Sequence, residues 1–126
     1  MNELITKAIH MMGKARAPYS KYNVGAAIKV NEGKIIGGCN IENASYPLSI
    51  CAERTALFSA IAQGYRKFSA MAIATKSGGY PCGSCRQVIW ELCDNIPIYI
   101  CDTSGVINKT TSGALLPEPF EAKNLK

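Results

Sequence analysis

Apolar side chains recur at helical spacing in the first segment: Leu4, Ala8, Met12 and Ala15 fall on one side of a helix running from Asn2 to about Ala15. Pro18 stops it. From Tyr22 to Val30 the period changes to two, with Val24, Ala26, Ile28 and Val30 sharing one face of a strand. Asn31-Glu32-Gly33-Lys34 reads as a hairpin turn into a second strand, about Ile35 to Ile41. A polar loop, Glu42 to Pro47, precedes a helix from about Ile50 to Gln63. Its apolar stripe is Ala52, Ala56, Leu57, Ala60 and Ile61, and Gly64 caps it. Phe68 to Thr75 is an apolar strand. Pro81 then sits where prolines open helices, and the helix Cys82 to Cys93 is expected to bury Val88, Ile89 and Leu92. Ile96 to Cys101 and Val106 to Thr110 read as two more strands around the turn Asp102-Thr103-Ser104-Gly105, and a helical turn around Gly113 to Leu116 leads into a tail. Strands separated by helices predict a three-layer α/β/α domain.

The length of 126 residues, 48% of them hydrophobic, suits one domain, 1–126, with one core. The N-terminal residues are charged where a signal peptide needs its apolar run, and no segment has the roughly 18 apolar residues of a membrane span. The expected compartment is the cytoplasm. The net charge of +5 comes from scattered basic residues, with no aromatic-basic stripe of the kind that tracks nucleic acid. Six cysteines in a reducing compartment point to metal or catalysis before disulfides. Cys39, Cys93 and Cys101 read as small buried residues.

The chemistry concentrates in two segments, Cys51-Ala52-Glu53 and Pro81-Cys82-Gly83-Ser84-Cys85, each at the expected start of a helix. A Cys-x-x-Cys at a helix start brings two sulfurs within reach of one ion, and Cys51 supplies a third from the other helix. Three protein ligands leave one tetrahedral position open, as in a catalytic zinc site. Helix N-termini favour thiolates. Three thiolates leave the site with a net charge of about −1 around Zn²⁺, so Arg54, Arg86 or both are expected to donate to the sulfurs. Glu53 is the nearby acid not needed for the metal, and is the expected proton carrier. Cys, x-Glu and then Pro-Cys-x-x-Cys is the order of the zinc deaminase signature.

The chain resembles the small homotetrameric cytidine deaminases. The likeness runs through Ala17-Pro18-Tyr19-Ser20-Lys21-Tyr22, Gly38 to Tyr46, Cys51 to Phe58, Pro81 to Val88 and Leu115-Leu116-Pro117. It implies an α/β/α sandwich with a central mixed five-stranded sheet and one Zn²⁺ per chain on Cys51, Cys82 and Cys85. It further implies hydrolytic deamination of cytidine and 2′-deoxycytidine to the uridines, with Glu53 as proton shuttle. Asn40 and Glu42 are implied to hold the ribose 3′-hydroxyl, the Ala52 N–H the pyrimidine carbonyl, and Tyr22 the side of the nucleoside. Ala44, Tyr46 and Phe120 match residues that reach a neighbour's site in a homotetramer with shared active sites. The implied partner is a small nucleoside, without nucleic acid or membrane.

Two residues depart from the family's pattern. Tyr80 stands before Pro81 where a small hydroxylated residue is usual, and Pro47 where Gly or Ser is common. Trp90 reads as a packing or subunit-contact residue. The second reading of function is a related zinc deaminase for another small aminopyrimidine, such as a nucleoside antibiotic. A thiol oxidoreductase leaves Cys51-Ala52-Glu53 and Asn40 to Asn43 without a role. A deaminase of bases within nucleic acid typically has His in place of Cys51 and needs a groove for flanking nucleotides. A structural zinc module would need a fourth cysteine, such as Cys39.

Overall fold

Residues 2–125 are described by the structure, a computed structural model. The first helix, α1 (Asn2–Met12), buries Leu4 and Ala8 completely. It ends three residues before the expected boundary. Gly13, Lys14 and Ala15 bond back to the carbonyls three residues earlier, and Arg16 N–H is drawn to the Asn40 carbonyl at 2.9 Å, which takes the chain off the helical path. Strands β1 (Val24–Val30) and β2 (Ile35–Cys39) form the expected hairpin, with Gly25 opposite Cys39 and Lys29 opposite Ile35.

A short 3-10 turn at Tyr46–Leu48, expected as plain loop, leads to α2 (Ala52–Ala62). Ile50, expected inside that helix, instead exchanges backbone bonds of 3.0 Å with Ile41. β3 (Phe68–Thr75) follows, then α3 (Gly83–Cys93), β4 (Pro97–Asp102), β5 (Gly105–Thr111) and a single helical turn, α4 (Ser112–Leu115). Pro81 does not open α3: Cys82 is the capping residue, and Pro81 stands one place before it. The C-terminal segment contains a further 3-10 turn at Ala122–Leu125.

The five strands lie in the order β2-β1-β3-β4-β5. All neighbours are antiparallel except β3 and β4, whose parallel pairing needs the crossover that α3 provides. Alternation along β1 divides the core. Ala26, Ile28 and Val30 face α2 and α3, packing with Leu57 and Ile89, while Ala27 faces α1 with Leu4 and Ala8. The result is a mixed sheet between one helix and two. Fully buried residues such as Leu57, Ile28 and Ile98 each contribute about 1.5–3 kcal/mol of burial.

Small residues set how α2 meets the sheet. Ala52, Ala56 and Ala60 are completely buried, and Gly38 of β2 lies against their backbone. A Cβ at Gly38 would stand 2.4 Å from Ala56 N and 2.7 Å from Ala52 O. This close approach carries the start of α2 to the end of the sheet where β1 begins and β2 and β3 finish, with Val24 paired to Thr75.

Candidate active site

Cys51 caps α2 and Cys82 caps α3, both with extended backbone, and Cys85 lies in the first turn of α3. Their three sulfurs all lie within 4.8 Å of one another, with Cys51 and Cys82 at 4.0 Å. A tetrahedral zinc with Zn–S near 2.3 Å sets sulfurs about 3.8 Å apart, so the cluster fits that ion with little movement. No fourth His, Cys, Asp or Glu joins the group among the described residues. Cys39, the alternative fourth thiol, is buried elsewhere with its sulfur 3.5 Å from the Lys14 carbonyl.

Cys51 and Cys85 are polarised in opposite directions. A hydrogen bond from Cys85 holds the Cys51 thiol down to about 5, and Arg54 adds to the effect against the cost of burial. The same bond, with burial, pushes Cys85 far above the ordinary thiol range. Arg54 Nη2 donates to Cys51 Sγ at 3.3 Å.

Of the two arginines expected to donate to the sulfurs, one or both, Arg54 does and Arg86 does not: its Nε donates to the Pro81 carbonyl at 2.7 Å and its Nη1 to that of Leu115 at 3.2 Å. Those carbonyls, one of them in α4, draw the guanidinium away from the sulfurs. Arg86 therefore ties the cysteine loop to the chain's last helix.

Glu53 follows Cys51 by two residues and is 4% exposed. Burial pushes its carboxyl up to about 7, with the negative charge of Cys51 adding to the rise. A carboxyl near that value takes up and gives back a proton near neutral pH. Ala52, the first residue of α2, has a backbone N–H without an intrahelical acceptor.

Cys51, Ala52, Glu53 and Cys82 line one cavity of about 490 Å³, within the range of small-molecule sites. Asn40 and Glu42, 9% and 6% exposed, line the same cavity. Both are partly engaged by backbone. Asn40 Oδ1 accepts from Val24 N at 2.9 Å, and Nδ2 donates to the Tyr22 carbonyl at 2.8 Å. Glu42 Oε1 accepts from Tyr19 N and Ser20 N, both at 3.0 Å, and Oε2 accepts from the Ser20 hydroxyl. The Ser20 bonds hold the Glu42 carboxyl below its ordinary value. Both side chains retain hydrogen-bonding capacity, a donor and a lone pair on Asn40 and a lone pair on Glu42 Oε2.

Tyr22, Tyr46, Pro47 and Tyr80 line the same cavity. Tyr46, matched to a neighbour's site in the sequence, thus faces its own pocket. Ala44 and Phe120 do not line it. Phe120 is 57% exposed, and Gln87 Nε2 donates to its carbonyl at 2.7 Å. Ser20, Thr75 and Gly79 also line the cavity and were not singled out in the sequence. Ser20 had a visible signal in the Ala17–Tyr22 motif, whereas Thr75 looked like an ordinary strand end. Arg54 is the one cationic side chain among the lining residues.

An open three-thiol cluster beside a buried acid, in a small-molecule pocket at the end of an α/β/α sheet, defines the class of metal-dependent hydrolases. The family model for the cytidine and deoxycytidylate deaminase zinc-binding region matches residues 1–101. A cytidine deaminase of Sporosarcina psychrophila is 43% identical over 128 residues, covering 99% of this chain and 94% of that one. One from Halalkalibacterium halodurans is 46% identical over 125 residues, covering 97% and 95%. The crystal structure of cytidine deaminase from Burkholderia pseudomallei superposes with a TM-score of 0.90 at 48% identity, covering 94% of this chain and 98% of that one. The chain belongs to the cytidine and deoxycytidylate deaminase zinc-binding family. Zinc is accordingly its metal, and the Cys51, Cys82 and Cys85 cluster is able to hold it. Among the described residues no helix is long and apolar enough to cross a membrane.

Proposed function

We propose that this chain, acting as one deaminase domain, converts cytidine and 2′-deoxycytidine to uridine and 2′-deoxyuridine with release of ammonia. Its similarity to cytidine deaminases over nearly the full length of both chains supports the reaction. The observation that carries the site assignment is Glu53, a buried acid on the wall of the cavity that also exposes Cys51 and Cys82.

Zinc on Cys51, Cys82 and Cys85 supplies, when bound, a Lewis acid that makes water a nucleophile near neutral pH. Arg54 offsets the surplus negative charge of the three thiolates. Glu53 takes a proton from the attacking water and delivers it to pyrimidine N3, then carries the proton of the hydroxyl added at C4 to the amino group, which leaves as ammonia. The Ala52 N–H holds the pyrimidine carbonyl, and Asn40 and Glu42 use their remaining capacity on the ribose 3′-hydroxyl. Tyr22 walls the nucleoside. Ala44 and Phe120, outside their own chain's pocket, serve a neighbour's site in a homotetramer. Tyr46 faces its own pocket and is exposed enough to meet a neighbour as well.

The charge of the pocket favours an unphosphorylated substrate. Two carboxylates and the sulfurs of Cys51 and Cys82 line it, and the one cation among its described lining residues is engaged by Cys51. Among the described lining residues of this chain a 5′-phosphate would find no free positive partner. Six free thiols suit the reducing cytoplasm.

The test is the absorbance change on incubating zinc-loaded protein separately with cytidine, deoxycytidine, deoxycytidylate and cytosine. Turnover of both nucleosides, with little on the nucleotide or the free base, is expected. Glu53→Gln is expected to keep its zinc and lose about 10²–10⁴-fold in kcat. Turnover of free cytosine but neither nucleoside contradicts the sugar assignment, and near-normal kcat in Glu53→Gln contradicts the shuttle.

A further inference from the structure

Gly79, in the loop between β3 and α3, fits against the Tyr22 hydroxyl. A Cβ at Gly79 would stand 2.5 Å from Tyr22 Oη, while the next nearest atoms are 3.8 Å away. The backbone itself does not require glycine there. Positive φ falls on Gly78, at 74°, and not on Gly79. Tyr22 Oη also lies 3.2 Å from Ser77 Oγ, where either hydroxyl can donate. The loop is fixed from behind, because Gly79 N–H donates to the buried Thr75 hydroxyl at 2.7 Å.

The other end of Tyr22 is held as firmly. Its N–H donates to Ser20 Oγ at 3.0 Å, and its carbonyl accepts from Asn40 Nδ2 at 2.8 Å. Ser20 in turn donates to Glu42. Tyr22 therefore spans the cavity's edge, from the Asn40 and Glu42 end to the loop that reaches Cys82 three residues after Gly79. A phenylalanine could supply the ring but not the bond to Ser77.

We propose that the Tyr22 hydroxyl is a positioning group that latches the aromatic pocket wall to the Ser77–Gly79 loop and so sets the spacing between the sugar end and the zinc-cysteine end. The assignment rests on the nucleoside reading of this pocket. The latch acts mainly on binding, since the partner of the hydroxyl is Ser77 and not Glu53. It requires position 79 to lack a side chain for as long as position 22 carries a hydroxyl.

A mutant cycle on the zinc-loaded enzyme tests this, read in both cytidine kinetics and Tm. Tyr22→Phe is expected to raise KM roughly three- to tenfold, the loss of one hydrogen bond, with a smaller change in kcat. Gly79→Ala is expected to raise KM by about tenfold or more and to lower Tm, through the clash of its methyl with the hydroxyl. Tyr22→Phe with Gly79→Ala is expected to return both readings to those of Tyr22→Phe alone. Ser77→Ala is expected to match Tyr22→Phe and to add nothing to it. Wild-type behaviour of Gly79→Ala or of Tyr22→Phe overturns the latch, as does a double variant no better than Gly79→Ala. If Gly79→Ala fails to fold, folding of the double variant supports the latch and its failure overturns it. Absence of cytidine turnover in the unmutated enzyme counts against the functional reading instead, and the Tm cycle still reports the contact.

Discussion

Arg54 and Arg86 show how one type of side chain at similar spacing can do two different jobs. Arg54 lies three residues after Cys51 and reaches its sulfur across one helical turn. Arg86 lies four residues after Cys82, which also permits contact, but two backbone carbonyls hold it instead. Arg54→Leu is expected to weaken zinc binding by about 10–100-fold, measured by competition with a chromophoric chelator, because a donor to a ligand sulfur is lost. Arg86→Leu is expected to lower Tm with a smaller effect on zinc affinity. Equal losses of zinc affinity in the two variants would contradict this division. At this scale the metal cluster was legible in the sequence, because Cys82 and Cys85 stand at i, i+3 on one helix start and the Cys51-Ala52-Glu53 segment marks the other; that Cys51 meets them from 31 residues away rests on the fold. The fate of Arg86 was not, because Leu115 reaches it from 29 residues away. Nor was the engagement of Asn40 and Glu42 by backbone groups, which depends on how the Tyr19–Val24 segment folds over β2.

The elements place these residues, and their contacts are unforgiving where backbones touch. Gly38 lets α2 lie close enough to β2 for Cys51 to meet the α3 cysteines. Gly38→Val is expected to cost about 1–3 kcal/mol and to reduce zinc occupancy together with Tm, because α2 must move away from β2. Unchanged zinc content in that variant, measured by atomic emission, would separate the helix position from the metal site. Periodicity exposed α1, α2, α3 and β1, whereas β3 showed as an apolar run buried along nearly its whole length and β5, which buries no residue, showed through the turn before it. Periodicity misplaced ends where a long-range backbone bond competes with the local pattern. Ile50 left α2 for Ile41, and Arg16 left the end of α1 for Asn40. The third helix is expected from Cys82 with Pro81 opening it, whereas Cys82 occupies the cap, a one-residue difference that turns on cap geometry. The 3-10 turns at Tyr46–Leu48 and Ala122–Leu125 carry no buried residues, so no periodic signal marks them.

At the scale of the molecule, one end of one sheet collects three contributions: the helix starts with their thiols, the strand ends with Asn40 and Thr75, and the loops with Tyr22 and Tyr80. The strand order that achieves this has no local signature, because it follows from the parallel return of β4 beside β3 after the α3 crossover. The pocket's charge is likewise a property of the assembled fold. The chain as a whole is positive at +5, yet its cavity is lined by acids and thiols with one engaged arginine. Everything chemical in the account depends on the metal having three protein sulfurs and one open position. Zinc K-edge X-ray absorption on the loaded protein measures this directly. The expected result is three sulfurs at about 2.3 Å and one lighter oxygen or nitrogen neighbour near 2.0 Å. A shell of four sulfurs, or one containing a histidine, would contradict it.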